Sequence, residues 1–209
     1  MVRENFNGSS ANAVFAVFDG HGGHQAADFC STNLVDVLER QPFLHVNTIQ
    51  AVKKGKHCTP PKFATSVCPA YRSTKRTVFA LSTFPQFSFF NLQKCNCFYF
   101  AAFTSLDEQF CNQARKFNYV CGSTCLLGLI MNGRLTIANL GDSVATLVRK
   151  DSSWTKLNEE HMPSRPDEQL RIQNNNGIIF NNRVEGQLSV SRAFGDLKLK
   201  EFVISEPEG

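Results

Sequence analysis

Val14-Phe15-Ala16-Val17-Phe18-Asp19-Gly20-His21-Gly22-Gly23 is an apolar run that stops abruptly at an acid, a histidine and three glycines. An unbroken series of Val, Phe and Ala suits a strand buried on both faces, and the glycines permit backbone angles and close approaches that a Cβ forbids. The acid therefore stands where a buried strand ends. A carboxylate there, beside a glycine whose carbonyl can turn inward, offers hard oxygen ligands to Mg²⁺ or Mn²⁺. His21 lies two residues on; in an extended chain it shares a side with Asp19, placed for proton transfer rather than ligation. Taken by itself, the same stretch also reads as a glycine-rich turn with a solvated Asp and His.

The remaining sequence bounds the possibilities. The chain has 209 residues and 42% hydrophobic content, ordinary for a globular protein with one full core or two small ones. No apolar run reaches the ~18 residues of a membrane span, and Met1-Val2-Arg3-Glu4-Asn5 starts no signal peptide. The expectation is an intracellular, non-membrane protein of the cytoplasm and/or nucleus. Eight cysteines without a secretory signal imply reduced thiols. Cys95 and Cys97 are too close for the usual zinc spacing, and Cys121 with Cys125 lacks a second ligand pair nearby. The net charge of +4 is local: nine bases and no acid lie between Glu39 and Asp107, which leaves 13 bases against 18 acids elsewhere. A basic balance confined to one segment speaks against a nucleic-acid-binding domain.

After the glycines, Ala26, Ala27, Cys30, Leu34, Val37, Leu38 and Gln41 fall on helical spacing, predicting an amphipathic helix from about Gln25 to Arg40, stopped by Pro42. Residues 55–101 differ from their surroundings. They hold eight phenylalanines, four cysteines, several prolines, no acid and no sustained period of 2 or 3.6. Joining Lys54 to Ala102 would put Ile49, Val52, Phe103, Leu106 and Phe110 at steps of three, four, three and four, one continuous amphipathic helix. Gly55-Lys56 can be coded with a splice donor, Ala101-Ala102 with an acceptor, and Phe98-Tyr99-Phe100 requires pyrimidine-rich codons. Residues 55–101 are therefore read as a non-native, disordered insertion, a translated intron or gene-model error. The competing reading is a real insertion that binds RNA or a partner through bases interleaved with aromatics.

From Cys121 the chain reads as a meander. Cys125 to Ile130 and Leu135 to Leu140 flank Asn132-Gly133, a strong hairpin signal. Gly141-Asp142-Ser143 turns into Val144 to Val148, and Asp151-Ser152-Ser153 into Trp154 to Leu157. Consecutive hairpins predict an antiparallel sheet and exclude a doubly wound nucleotide-binding fold. Pro166-Asp167-Glu168 starts a short helix ended by Gly177; Ile178 to Phe180 is a further strand, and Gln187 to Arg192 alternates loosely into Ala193-Phe194-Gly195-Asp196. Asp19, Asp142 and Asp196 share one design, an acid next to glycine at the end of an apolar strand, where side chains from separate strands can converge on a hard cation.

VFAVFDGHGG, CGSTCLL, LTIANLGDS, EEHMPSRPDEQLRI and LSVSRAFGD, in this order, resemble successive motifs of the PPM or PP2C family of metal-dependent protein serine/threonine phosphatases. The likeness covers roughly Ala13 to Lys54 and Ala102 to Gly209. It implies an α+β fold, a four-layer α-β-β-α sandwich of two antiparallel sheets flanked by helices, in one domain over 1–209 that is incomplete at both ends. It also implies two Mg²⁺ or Mn²⁺ ions per site in the complete domain, a metal-activated water as nucleophile, and phosphoserine or phosphothreonine proteins as substrates of a monomeric enzyme. Asp19 matches the bridging carboxylate, Gly20 the residue supplying a backbone carbonyl, Asp196 a ligand of one metal, His21 the general acid, and Asp142 an acid of a weaker third metal site. No organic cofactor is implied.

Several features depart from the family pattern. Nothing before Asn12 supplies the arginine and Glu-Asp pair of the family's first strand, and the chain stops at Pro207-Glu208-Gly209 before the closing Asp-Asn pair. Val144 replaces an arginine after the GDS triplet, and Glu159-Glu160-His161 an Asp-His. The expectation is therefore a truncated chain of impaired activity. A catalytically dead pseudophosphatase that binds phosphoproteins or a partner is the alternative, and an RNA-binding protein ranks third.

Overall fold

The apolar run at Val14 forms the centre of a sheet because both of its faces are covered. In the computed structural model, which describes residues 1–41, 78–82, 96–131 and 133–209 (the backbone alone for 78–82 and 96–98), strand β2 (Ala13–Val17) lies between β1 (Val2–Glu4) and β6 (Cys125–Met131), and β7 (Arg134–Leu140) follows β6. All three pairings are antiparallel. Side chains alternate along a strand. Val14, Ala16, Leu127, Leu129, Ala138 and Leu140 consequently share the face that packs on helix α1 (Gln25–Glu39) and helix α2 (Asn96–Phe117). On the other face Ala13, Phe15 and Ile130 meet Leu135, Leu147 and Leu157, and Leu126 and Ile137 meet Ala145.

The predicted first helix is present and ends one residue early, at Glu39, with Arg40 as its C-cap. Its buried face is Ala26, Cys30, Leu34, Val37 and Leu38. Phe103, Leu106 and Phe110, the spacing expected of the second helix, are fully buried on α2. Phe29 and Phe110 lock the helices together with ring centroids 5.6 Å apart. Pro42, Ile49, Val52, Asn132 and most of the 55–101 stretch lie outside the described residues. The described parts of that stretch are β4 (Val78–Ser82) and the first six residues of α2.

Two expectations about the meander change. Met131 pairs with Arg134 across the predicted hairpin. The turn at Gly141-Asp142-Ser143, however, leads out of the sheet: β8 (Val144–Val148) belongs to a second, three-stranded sheet with β4 and β9 (Trp154–Lys156), antiparallel to β9 and parallel to β4. Gly141, at φ +107°, directs the crossing, and a Cβ there would press on Thr124. Gln187 to Arg192 also forms no ladder; its backbone loops back through Val184–Leu188 bonds and a single bridge from Arg192 to Ile204.

Helix α3 (Pro166–Asn174) starts with Pro at its first turn, as expected. Its end is set by Asn176, left-handed at φ +63°, while Gly177 returns its N–H to the Ile172 carbonyl at 2.9 Å in a Schellman arrangement. Gly177 is needed for space, since a Cβ would crowd Ile172 and Phe202 at 2.7 Å. Helix α3 packs Ile172 with Val184, Val190, Ala193, Leu199 and Val203 in a separate cluster, beside the hairpin of β10 (Ile179–Phe180) and β11 (Arg183–Val184). Among the described residues the architecture is thus α+β, with sheets that are antiparallel apart from the β4–β8 pair and with three α-helices.

Phe15 stands opposite Gly128 in the β2–β6 register, and its ring occupies the space that a Cβ on Gly128 would need. Gly128→Ala is expected to cost about 1–3 kcal/mol by overpacking, read as a lower Tm in thermal denaturation. An unchanged Tm would show that the ring is not fixed over that strand.

Candidate active site

Asp19 lies two residues past the end of β2, after Phe18, and the chain then forms β3 (Gly20–His21). Far along the sequence, Gly122–Ser123 (β5) and Phe194–Gly195 (β12) complete a short antiparallel sheet in the order β12-β5-β3. His21 and Gly195 both lie opposite Gly122 in register, which brings His21 and Asp196 to the two sides of one glycine. Their side chains meet over it, His21 Nε2 to Asp196 Oδ2 at 2.7 Å. A carboxylate can only accept, so Nε2 carries the hydrogen. A Cβ at position 122 would overlap the Asp196 carboxylate and come within 2.6 Å of Nε2.

The Asp142 loop is tied to the same place. Thr124 donates its N–H to the Asp19 carbonyl at 3.0 Å, accepts the Asp19 N–H on Oγ1 at 3.2 Å, and shares a hydrogen bond with the Ser143 hydroxyl at 3.1 Å. Thr124 and Ser143 are buried, which makes this a dry link between the two acidic loops. His161, fully buried, accepts the Gly141 N–H on Nδ1 at 3.0 Å and returns its own N–H to the Gly141 carbonyl at 2.9 Å. Its carbonyl receives the Ser191 N–H at 3.0 Å, joining the Asp142 loop to the segment that leads to Asp196.

All five residues singled out in the sequence, Asp19, Gly20, His21, Asp142 and Asp196, line one open cavity of about 1030 Å³. Val120, Met162, Arg183, Leu188 and Lys198 line it as well. The oxygens of Asp19, Asp142 and Asp196 do not all lie within 4.8 Å of one another; among the described residues the acids that do are Asp167, Glu168 and Glu208. That tighter group is a poor cation site, because arginines already occupy it. Glu168 receives Arg192 Nε at 2.9 Å and Arg171 Nη2 at 2.8 Å, Arg165 bridges Asp167 and Glu208, and Arg192 also reaches Glu208 at 3.0 Å. The cavity acids suit Mg²⁺ or Mn²⁺ by chemistry, since Mg²⁺ keeps several waters and needs only one or two carboxylates directly.

The arginine network and His161 escaped the sequence reading. Burial opposes the charge on Glu168, but hydrogen bonds from Arg192 and Arg171 outweigh it and bring the carboxyl down to about 2. His161, its Nε2 3.4 Å from the carboxylate, and then a hydrogen bond from Arg165 hold Glu208 well below the usual carboxylate range. Burial pushes His161 down, favouring its neutral form. The stretch EEHMPSRPDEQLRI, with three bases and four acids, contained the signal in its charge alternation. The four described cysteines are free and buried; burial pushes the Cys30, Cys111 and Cys125 thiols up, which leaves them unreactive near neutral pH.

The sequence model of Protein phosphatase 2C matches residues 2–77 and 72–209. The chain belongs to the protein phosphatase 2C family. Curated relatives include a probable protein phosphatase 2C member 13, mitochondrial, from Oryza sativa subsp. japonica, 31% identical over 95% of this chain and 42% of its own length. A probable protein phosphatase 2C 2 from Arabidopsis thaliana is 31% identical over 98% of this chain and 42% of its own. The chain thus spans about two fifths of the length of these relatives. Among solved structures, a serine-threonine phosphatase 2C from Toxoplasma gondii superposes with a TM-score of 0.61 at 21% identity, over 97% of this chain and 64% of that one. A sex determining protein of C. elegans gives 0.63 at 23%, over 94% and 39%. These likenesses support the phosphatase fold. No helix among the described residues is long and apolar enough to cross a membrane.

Two expectations follow from this geometry. Gly122→Ala should separate His21 from Asp196 while leaving the larger sheet intact, so that a crystal structure of the variant shows the 2.7 Å contact broken; a preserved contact would contradict the packing described. Stability should also fall with acidity in two stages. A histidine held neutral in the fold makes its contribution in full above its unfolded pKa of about 6.5 and loses it as pH drops below that value. Glu168 and Glu208, depressed in the fold, lose theirs as pH falls below about 4.5, Glu168 down to about 2. The Tm should therefore decline from about pH 6.5 downward, and His161→Asn, whose amide oxygen can replace Nδ1 as acceptor, should flatten the upper stage.

Proposed function

We propose that this chain is part of a metal-dependent protein serine/threonine phosphatase that hydrolyses phosphoserine and phosphothreonine in proteins, with Mg²⁺ or Mn²⁺ in the cavity. The observation that carries the reading is the His21–Asp196 hydrogen bond in the wall of the cavity that Asp19 and Asp142 also line. Asp19, the Gly20 carbonyl and Asp196 would hold the principal ions, with Asp142 at a weaker third position. When bound, such ions polarise phosphate oxygens and acidify water in the site.

The protein's own groups account for the rest. Asp196 orients the His21 ring and selects the tautomer with hydrogen on Nε2. In its imidazolium form His21 then gives its Nδ1 proton to the departing serine or threonine oxygen, which is otherwise a poor leaving group, and is left as the Nε2–H tautomer that Asp196 holds. The open cavity admits an extended phosphopeptide, and Val120, Met162 and Leu188 offer its flanking residues apolar contact. Within the same reading the complete domain is a monomeric four-layer α-β-β-α sandwich, and residues 55–101 are foreign to it. The composition of that stretch supports this last point, whereas β4 and the first turns of α2 count on the other side; transcript sequencing decides it. The comparisons lend no support of their own to a non-catalytic alternative.

Hydrolysis of a phosphoserine peptide should require added Mn²⁺ or Mg²⁺ and cease with a chelator. His21→Ala should slow that reaction about 10²–10⁴-fold, with far less effect on an aryl phosphate whose leaving group needs no proton. Equal losses on both substrates would remove His21 from the role.

A further inference from the structure

We propose that Asp107 of α2 and Lys200 are positioning residues for Asp196, a partly buried ion pair that holds the Gly195–Asp196 turn so that the Asp196 carboxylate faces His21. The inference rests on the reading of Asp196 and His21 as active-site groups. Neither Asp107 nor Lys200 lines the cavity, and neither can touch a substrate there. Both act through the backbone that carries Asp196.

Asp107 is 5% exposed. Its Oδ1 accepts the Gly195 N–H at 2.8 Å and its Oδ2 meets Lys200 Nζ at 2.7 Å. The same ammonium donates to the Gly195 carbonyl at 3.0 Å and to the Ala193 carbonyl at 3.2 Å. The three hydrogens of Lys200 are thus all engaged, and the pair satisfies both the N–H and the C=O of Gly195. The next N–H, that of Asp196, goes to the Cys121 carbonyl at 3.1 Å.

The backbone here needs such restraint. Gly195 and Asp196 are consecutive left-handed residues at φ +76° and +51°. For a residue other than glycine this conformation persists where its surroundings over-determine it. A Cβ on Gly195 would collide with the Cys121 carbonyl and the Phe110 ring, so the turn is wedged between α2 and β5 as well as bonded to them. Phe103 against Phe194, ring centroids 5.2 Å apart, adds a second anchor from the same helix. If the pair were lost, the turn would keep its packing but lose the bonds that fix its rotation. Asp196 would then swing relative to His21.

The test uses the full chain with Asp107→Asn, Lys200→Met and, as the conservative variant, Lys200→Arg. The first readout is the ¹⁵N spectrum of the imidazole rings without metal, with Asp196→Ala marking the signal of an unpaired His21. The second is Mn²⁺ affinity by calorimetry. Asp107→Asn and Lys200→Met should move the His21 signals toward those of Asp196→Ala and weaken Mn²⁺ binding about 10–100-fold, the usual effect of losing a group that orients a ligand. His161, buried in the separate arginine network, should keep its signals, which a general loss of structure would not allow, and Lys200→Arg should restore much of both readouts. Unchanged His21 signals and Mn²⁺ affinity in Lys200→Met would overturn the proposal, and this variant decides it even if Asp107→Asn does not fold. A parent chain whose His21 already matches Asp196→Ala would overturn it too. A parent that shows the paired His21 signal but hydrolyses no phosphopeptide would sink the phosphatase reading and leave the positioning of Asp196 standing on the ring spectra.

Discussion

The absence of a side chain on Gly122 is the constraint on which the site depends. Neighbouring strands lie about 4.8 Å apart, so the backbones of β3 and β12, on either side of β5, are separated by roughly twice that distance. His21 and Asp196 span this gap by leaning toward each other across the middle strand, and they can do so because the ground between them is bare. Any larger residue at 122 would occupy the volume in which the imidazole and carboxylate meet. The two-residue length of each strand is therefore no weakness; it brings three distant parts of the chain side by side for the distance that two side chains require.

Around this contact the structure holds its loops with charge rather than with long ladders. Glu168 and Arg192 fix the segment just before Phe194-Gly195-Asp196, and His161 clasps the Gly141 turn to Ser191. Asp107 and Lys200 grip the same segment from its other end. Buried ion pairs contribute little net stability, because desolvation offsets much of the Coulombic gain. Their effect is directional: a guanidinium that bonds carboxylates and carbonyls together has few alternative arrangements. The turns carrying Asp142 and Asp196 are thereby confined to orientations that apolar packing would not select. The acidic trio Asp167, Glu168 and Glu208 belongs to this scaffold, and its arginines explain why so dense a group of carboxylates is compatible with a folded surface.

Much of the framework could be read directly from residue order. The apolar runs of β2, β6 and β7, the helical spacing of Ala26 to Leu38, and Phe103, Leu106 and Phe110 all describe faces that water would penalise, and each of these faces is buried. The Gly141 turn was less legible. A glycine, an acid and a serine between two apolar runs describe a hairpin and a crossing between sheets equally well. What separates them is the tether from His161 and the packing on Thr124, both of which involve residues far away in the chain. Gln187 to Arg192 misled in the opposite way, because its alternation serves one buried cluster and a set of salt bridges rather than a ladder.

The sequence by itself determined the class of fold, the family and the identity of the acids and histidine that line the cavity, since local periodicity, turn residues and short motifs are properties of neighbours along the chain. Tertiary structure decided which partner each of them meets: His21 with Asp196, Thr124 with Ser143, Gly195 with Asp107 and Lys200. All of these but the Gly195–Lys200 contact join residues 19 to 175 positions apart. They exist because strand register and the missing Cβ of Gly122 set distances in space that no spacing along the chain encodes.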